Sequence, residues 1–391
     1  RPEISLKRPR RWNVPLPVGV LPAYDEAVKL IRKDAWNVRQ EANAQRREVQ
    51  RLHRVLSGQV ADEAVQGAAK SALEADLEAK RAKLHILDVQ SEVNLPEVRW
   101  SVANAMADMR IPSHRHLLEQ RWRKDGDLDL LMERLHQMKV VPDVLPVLHP
   151  SVDLHVTARL MPEHFESLMK RNRFQRRVNT FKEVVPGNYL TPRQTRVPPK
   201  LYANVFHTDV RLYTMLLVDP DVPDPENQTY TTFLHWLKPN IPLSATHTGR
   251  IPLLNTHTRY VPPHPQRGTP YHRYTLLLLP QPPLPGMRHL RPHARPHAAP
   301  DAPERDAAAP DIVPDAQRLH FDVRAFAKQY GLNGAMGGGA HMWREVWDKY
   351  VGAVYRYELH KPQPMYGRPP RADPQRAAHS APTRQRYMLG A

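Results

Sequence analysis

The chain has 391 residues, with 57 Lys and Arg against 40 Asp and Glu and a formal charge of +17. An excess of this size suits a polyanion, nucleic acid first and an anionic membrane surface second. There is no cysteine, which excludes disulfides, thiolate metal ligands and cysteine nucleophiles. No run approaches the roughly 20 apolar residues that a bilayer-spanning helix needs, so membrane insertion is not expected.

The length fits two domains, or one domain with large extensions. The 41 prolines are about twice the usual share, so much of the chain is expected to be linker, arm or tail. The first residue is Arg1 rather than Met, the kind of end that a cleaved organellar presequence leaves.

Residues 1–22 read as an extended arm. Arg1, Lys7, Arg8, Arg10 and Arg11 face a single acid, Glu3, and prolines at 2, 9, 15, 17 and 22 block a helix. Arginines beside Trp12 on an irregular arm suit phosphate contact with base or sugar stacking; a plain solvated terminus is the simpler alternative. Residues 23–149 then read as a helical extension. Asp25 is a candidate N-cap, and Val28, Leu30, Ile31, Trp36, Val38, Val49 and Leu52 form a loose apolar stripe opposite Arg46, Arg47, Arg51 and Arg54. A second helix is expected over 62–89, and shorter ones near 97–109, 115–123 and 128–138. Their thin apolar faces suit partner binding better than closing a core alone.

From about residue 150 the pattern changes to alternating and short continuous apolar runs at 154–158, 201–206, 213–218 and 274–279. Bounded by Pro, Gly and Asn, these predict β-strands, and many short strands with few long helices between them predict an antiparallel sandwich. The fold class is therefore α+β. Just inside this region Lys170, Arg171, Arg173, Arg176 and Arg177 crowd around Phe174. Residues 281–316 are rich in Pro, His, Arg and Ala and read as a flexible insertion. His289, His293 and His297 lie four apart there, but Pro292 and Pro296 rule out the helix that would align them, so no metal site is expected. Helices are predicted over 321–330 and from Trp343 to about Tyr357, separated by Gly337, Gly338 and Gly339. The tail, 361–391, carries Arg368, Arg371, Arg376, Arg384 and Arg386 among prolines, much like the first arm.

The chemistry-bearing residues cluster in sequence at Asp219-Pro220-Asp221-Val222-Pro223, at His235, and at Gly268-Thr269-Pro270-Tyr271-His272-Arg273-Tyr274. Both aspartates stand at the end of an apolar strand, and flanking prolines reduce the entropy lost in holding them. His272 and Tyr274, two apart on a strand, share a face. Such a mouth can bind an anion through imidazole N–H and phenol O–H, or do acid–base work. Equally, Asp219 can bond backbone N–H groups and His235 can be a satisfied interior histidine.

These three motifs, in this order, with Phe233-Leu234-His235-Trp236-Leu237 between them, resemble the signatures of the phosphatidylethanolamine-binding protein (PEBP) family over roughly residues 150–358. The resemblance implies a PEBP-like antiparallel β-sandwich with C-terminal helices (residues 150–360) and an anion pocket of Asp219, Asp221, His235, His272 and Tyr274, with Tyr355 on the closing helix. One departure matters. Where the family has a glycine-rich stretch, this chain has Tyr260-Val261-Pro262-Pro263-His264-Pro265, which removes backbone N–H donors and adds bulk, so the pocket is expected to be vestigial.

The arms and the charge are unneeded by a free PEBP-type protein. With them, the whole chain resembles the ribosomal branch of the family, in which such a domain is a structural module of the mitochondrial large subunit. That resemblance implies ribosomal RNA and other mitochondrial ribosomal proteins as partners, a location in the mitochondrial matrix, and no catalysis, cofactor or homo-oligomer. RNA contact would fall to Arg1, Lys7, Arg8, Arg10, Arg11, Lys170, Arg171, Arg173, Arg176, Arg177, Arg368 and Arg371. The alternative is a PEBP-type regulator that binds phospholipid headgroups or other anions.

Overall fold

The computed structural model describes residues 16–59, 67–159, 181–247, 249–251, 256–282 and 310–367. It begins with six helices: α1 (Pro22–Gln59), α2 (Gly67–Val93), α3 (Pro96–Ala103), α4 (Pro112–Lys124), α5 (Asp127–Gln137) and α6 (Val140–Asp143). Three of them start on proline, which loses nothing where the first-turn N–H has no intrahelical partner. Asp25 is not the N-cap. It lies in the first turn of α1 and accepts a hydrogen bond from the Gly19 N–H at 2.8 Å.

Helices α1 and α2 form an antiparallel hairpin. Ala42, Leu52, Leu77 and Leu87 are buried along it, and Arg46–Asp88 (2.6 Å), Lys83–Glu41 (3.0 Å) and Arg39–Glu92 (3.2 Å) bridge its rim. These pairs are exposed and fix the register more than they stabilise it. On α4 the buried Trp122 lies 5.6 Å from the ring of Phe206, which joins the helical region to the sandwich.

The sandwich has two sheets. One has the order β2-β1-β4-β7, from β1 (Val152–Arg159), β2 (Phe181–Val184), β4 (Lys200–Val205) and β7 (Gly249–Arg250). The other has the order β3-β9-β8-β5-β6, from β3 (Tyr189–Leu190), β5 (Arg211–Asp224), β6 (Thr229–Leu243), β8 (His272–Pro280) and β9 (Gly339–Glu345). All pairings between strands are antiparallel except β3 with β9. Helices α7 (Val323–Gln329) and α8 (Val351–Tyr357) are the last two among the described residues.

The five-stranded sheet is buried on both faces. Met215, Leu217, Tyr274, Leu276, Leu278 and Trp343 face the four-stranded sheet. The alternate residues Leu216, Val218, Leu277, Leu279, Ala340 and Met342 pack against helices. Double burial explains why its strands read as continuous apolar runs, while β1 alternates between buried and partly exposed positions. The second cluster includes Leu131, Leu135, Val140 and Val144 from α5, α6 and the turn after them, beside Phe326 of α7. One core thus continues across the composition change near residue 150.

Two expectations fail here. The segment from Trp343 to Tyr357 is not one aromatic helix: residues through Glu345 form β9, and only Val351–Tyr357 is helical. The position between two packed layers decides this, since Ala340, Met342 and Trp343 are each 0% exposed. Residues 310–316, read as the end of a flexible insertion, are held in place. The Pro310 carbonyl accepts from His257 at 2.9 Å, the Val313 N–H donates to Thr258 at 3.1 Å, and Asp315 pairs with Arg259 at 2.7 Å.

Candidate functional site

Asp219 and Asp221 sit in β5 at a register shift between Asp219 and Val222, where β5 pairs with β6. A bulge of this kind breaks the strict alternation of faces, and the two carboxylates part company. Asp219 turns inward, 2% exposed, and its Oδ2 lies 2.7 Å from His272 Nδ1. Its Oδ1 accepts from the Asp221 N–H at 2.9 Å. Asp221 turns instead to Arg273, whose Nη2 donates to Oδ1 at 2.7 Å and whose backbone N–H donates to Oδ2 at 2.8 Å. The expectation that both aspartates line one mouth is therefore corrected.

Around Asp219 lies a dense aromatic cluster. His235 is fully buried and bonds through Nδ1 to the Val261 carbonyl at 2.8 Å; its Nε2 has no hydrogen-bond partner among the described residues. Its ring is 5.2 Å from Tyr274 and 5.0 Å from His264. His264 fills the centre, edge-on to Phe233 at 4.9 Å and to Tyr355 at 5.4 Å, with its Nδ1 bonded to the Pro262 carbonyl. Of the six pocket residues expected, Asp219, His235, His272, Tyr274 and Tyr355 come together, and His264 occupies the space among them.

The electrostatics follow from burial. Burial opposes the charge on Asp219, yet the adjacent His272 holds its pKa below the usual value. His272 is likewise raised, burial notwithstanding, by the Asp219 carboxylate. Burial and the neighbouring His264 push His235 down to about 3, and burial pushes His264 down to about 4. Asp219 and His272 thus favour each other's charged forms, while at neutral pH the rings of His235 and His264 beside them are neutral. Thr269 Oγ1 lies 2.9 Å from His272 Nε2, so the second ring nitrogen is also engaged.

The loop before β8 is pinned from outside. The Tyr366 N–H donates to the Arg267 carbonyl at 2.7 Å, and Arg267 bridges Met365 in parallel. Gly268, at φ +90°, has no room for a side chain, because a Cβ would collide with the Tyr366 carbonyl. Gly268→Ala is expected to cost about 2 kcal/mol or more and to release the 361–367 segment. A lower melting temperature, with faster proteolysis beyond residue 360, would check it.

Between the 137–139 turn and the 270–273 stretch an open cleft of about 380 Å³ remains. Of its charged lining, Asp143 and Asp221 are both paired with Arg273, and Lys139 stands at the turn. The basic residues expected to bind RNA, at positions 1–11, 170–177, 368 and 371, lie outside the described residues. No helix among the described residues is long and apolar enough to cross a membrane.

Residues 180–337 match the family model of phosphatidylethanolamine-binding protein. The sandwich is PEBP-like. The large ribosomal subunit protein mL38 of Schizosaccharomyces pombe is 29% identical over 270 residues, 68% of this chain and 73% of its own length. The putative odorant-binding protein A5 of Drosophila melanogaster is 25% identical over 169 residues, 43% of this chain and 68% of its own. Among solved structures, a phosphatidylethanolamine-binding protein from Plasmodium vivax covers 56% of this chain and 97% of its own at 18% identity, with a TM-score of 0.34.

Sequence reasoning singled out His264 as a departure from the PEBP pattern, and the PEBP-like site shows its consequence. It missed Arg273 and Glu345. Glu345 is 0% exposed, accepts from Trp343 Nε1 at 2.8 Å and Thr195 Oγ1 at 3.1 Å, and is pushed up to about 8 by burial. An acid ending an apolar strand was the available signal.

Proposed function

We propose that this protein is a structural component of the mitochondrial ribosome's large subunit, in which the PEBP-like domain is a packing module. The observation that carries the reading is the length of the ribosomal match. It runs over 270 residues, more than the PEBP-like stretch of 150–358 can hold, whereas the odorant-binding relative and the CEN-like protein 1 of Nicotiana tabacum align over 169 and 178. The likeness to the ribosomal protein thus takes in chain beyond the shared domain. The charge of +17 supports a partner rich in phosphate, and His264 filling the cluster weighs against an inherited phospholipid site.

On this reading the basic arms and the 170–177 cluster neutralise ribosomal RNA, the helical extension meets neighbouring ribosomal proteins, and no reaction is catalysed. The test is sedimentation of mitochondrial lysate at moderate salt with the tagged full chain. It is expected in the large-subunit fractions, and a protein staying wholly at the top of the gradient overturns the reading. Deleting residues 1–15 or 368–391 is expected to lower incorporation several-fold, while His235→Ala lowers thermal stability yet leaves the folded fraction able to assemble. The opposite ranking in the same gradient would favour an anion-binding regulator.

A further inference from the structure

One end of the five-stranded sheet carries cations laid against aromatic rings. The Arg344 guanidinium sits 4.0 Å from the ring centroid of Tyr189 and 5.2 Å from that of Tyr271, and the two tyrosines meet edge-on at 6.0 Å. Strand register makes the group one surface: Tyr189 pairs with Arg344 across β3 and β9, and His272, next to Tyr271, pairs with Glu345. The chain leaving β9 continues it. Arg193 and Lys349 flank the Tyr350 ring at 5.1 and 5.6 Å, and Arg267 lies 4.9 Å from Trp347.

Two features set this end apart. First, Arg193, Arg267, Arg344 and Lys349 form no ion pair among the described residues, whereas Arg211, Arg259, Arg273 and Arg318 each hold a carboxylate. The acids nearby do not offset them fully. Glu345 is buried and raised to about 8, and Asp348 is a single carboxylate facing two of the cations, Lys349 and Arg193. Second, Tyr189 and Tyr271 are 53% and 39% exposed although they sit beside a fully packed core. Aromatic platforms interleaved with Arg and Lys in excess of the nearby acids suit unpaired bases, whose faces stack on rings while their phosphates meet the cations.

Resting on the ribosomal reading, we propose that the β3–β9 end of the folded domain, centred on Tyr189, Tyr271 and Arg344, binds single-stranded or looped-out RNA. Its residues are distinct in sequence from those of the basic arms. An acidic protein segment would also meet the four cations, but it would not call for two exposed tyrosines wedged around an arginine.

The test uses the full chain in two settings. In purified large subunits, ultraviolet cross-linking with peptide mapping is expected to give nucleotide adducts at Tyr189 or Tyr271; adducts to protein alone there overturn the proposal. In solution, the full chain is titrated with a labelled oligouridylate and with an RNA duplex of equal charge. Tyr189→Ala with Tyr271→Ala is expected to weaken the single strand about tenfold, in the range that losing a base–aromatic stack produces, and the duplex less than twofold. Arg193→Ala with Lys349→Ala, exposed changes that leave the core intact, is expected to reduce the salt slope by about 2. If all four substitutions leave single-strand binding unchanged and arm deletion abolishes it, the arms alone bind RNA. The inference then fails while the ribosomal reading stands. Absence from the large-subunit gradient fractions would instead remove the reading itself.

Discussion

Acidification from pH 7 to pH 5 is expected to lower the folding stability by about 3 kcal/mol, well above the range where ordinary carboxylates protonate. The cause is three buried neutral histidines, His235 at about 3 and His264 and His341 at about 4, each held down chiefly by burial from a usual value near 6.5. Below 6.5 the unfolded chain takes up protons that the folded one refuses. Their contribution is therefore present above 6.5 and lost as pH falls, by about 2 kcal/mol each at pH 5. Glu345 opposes them. With a folded value near 8, it destabilises the fold when the pH exceeds its unfolded value and returns about 2.5 kcal/mol on going from pH 7 to 5.

His155 and His272 act in the opposite sense and only soften the top of this acid limb, near pH 6.5 and above. Their folded values are raised, His155 to about 10 because hydrogen bonds to Asp153 and Glu183 overcome desolvation. Such groups contribute fully below 6.5 and lose ground only as pH rises, so stability should peak between about pH 6 and 7. Urea unfolding at several pH values checks the profile. Glu345→Gln should steepen the acid limb, and His264→Phe, which keeps a ring against Phe233 and Tyr355, should flatten it. A stability independent of pH from 7 to 5 would sink the account.

The parts of the fold that were legible are those whose burial is local in sequence. Runs such as Leu216 to Val218 and Leu276 to Leu279 announce strands, because both faces are covered and polar residues have no place to alternate. β9 was hidden, since Ala340, His341 and Met342 carry no β-branched side chain and follow three glycines. The parting of Asp219 from Asp221 could not be read either: a bulge belongs to the pairing of two strands, and β6 was not recognised as the partner. His264 was legible because its bulk stands where the resemblance implies glycine. Arg273 was not, because its role depends on α5 and α6 folding back across a sheet that begins after them.

That role supports the second large expectation. Arg273 is adjacent to His272 in the third motif, yet it faces the opposite side of β8, where its guanidinium meets Asp221 at 2.7 Å, Asp143 at 2.9 Å and the Met138 carbonyl at 2.7 Å. Burial opposes the charge, but Asp221 and Asp143 outweigh it and raise the pKa further. One side chain thereby ties the end of the helical region to two central strands. Arg273→Ala removes the side-chain donor shared by Asp221, Asp143 and the Met138 carbonyl and leaves Asp221 only the backbone N–H of position 273, and is expected to cost about 3 kcal/mol, the low end for breaking a largely buried pair, because Asp143 is partly exposed. In a domain of this size that corresponds to a melting temperature lower by roughly 6–12 °C. Arg273→Lys keeps the charge but cannot reach three acceptors in one plane, so it should recover less than half of the loss. Thermal melts of the three proteins, with proteolysis at the 124–140 connections, measure both effects. Were the motif arginine kept for a ligand, its removal would leave the melt unchanged and α5 protected. A large loss of stability with early cleavage there would instead mark an arginine of the third motif given over to holding the helical extension in place.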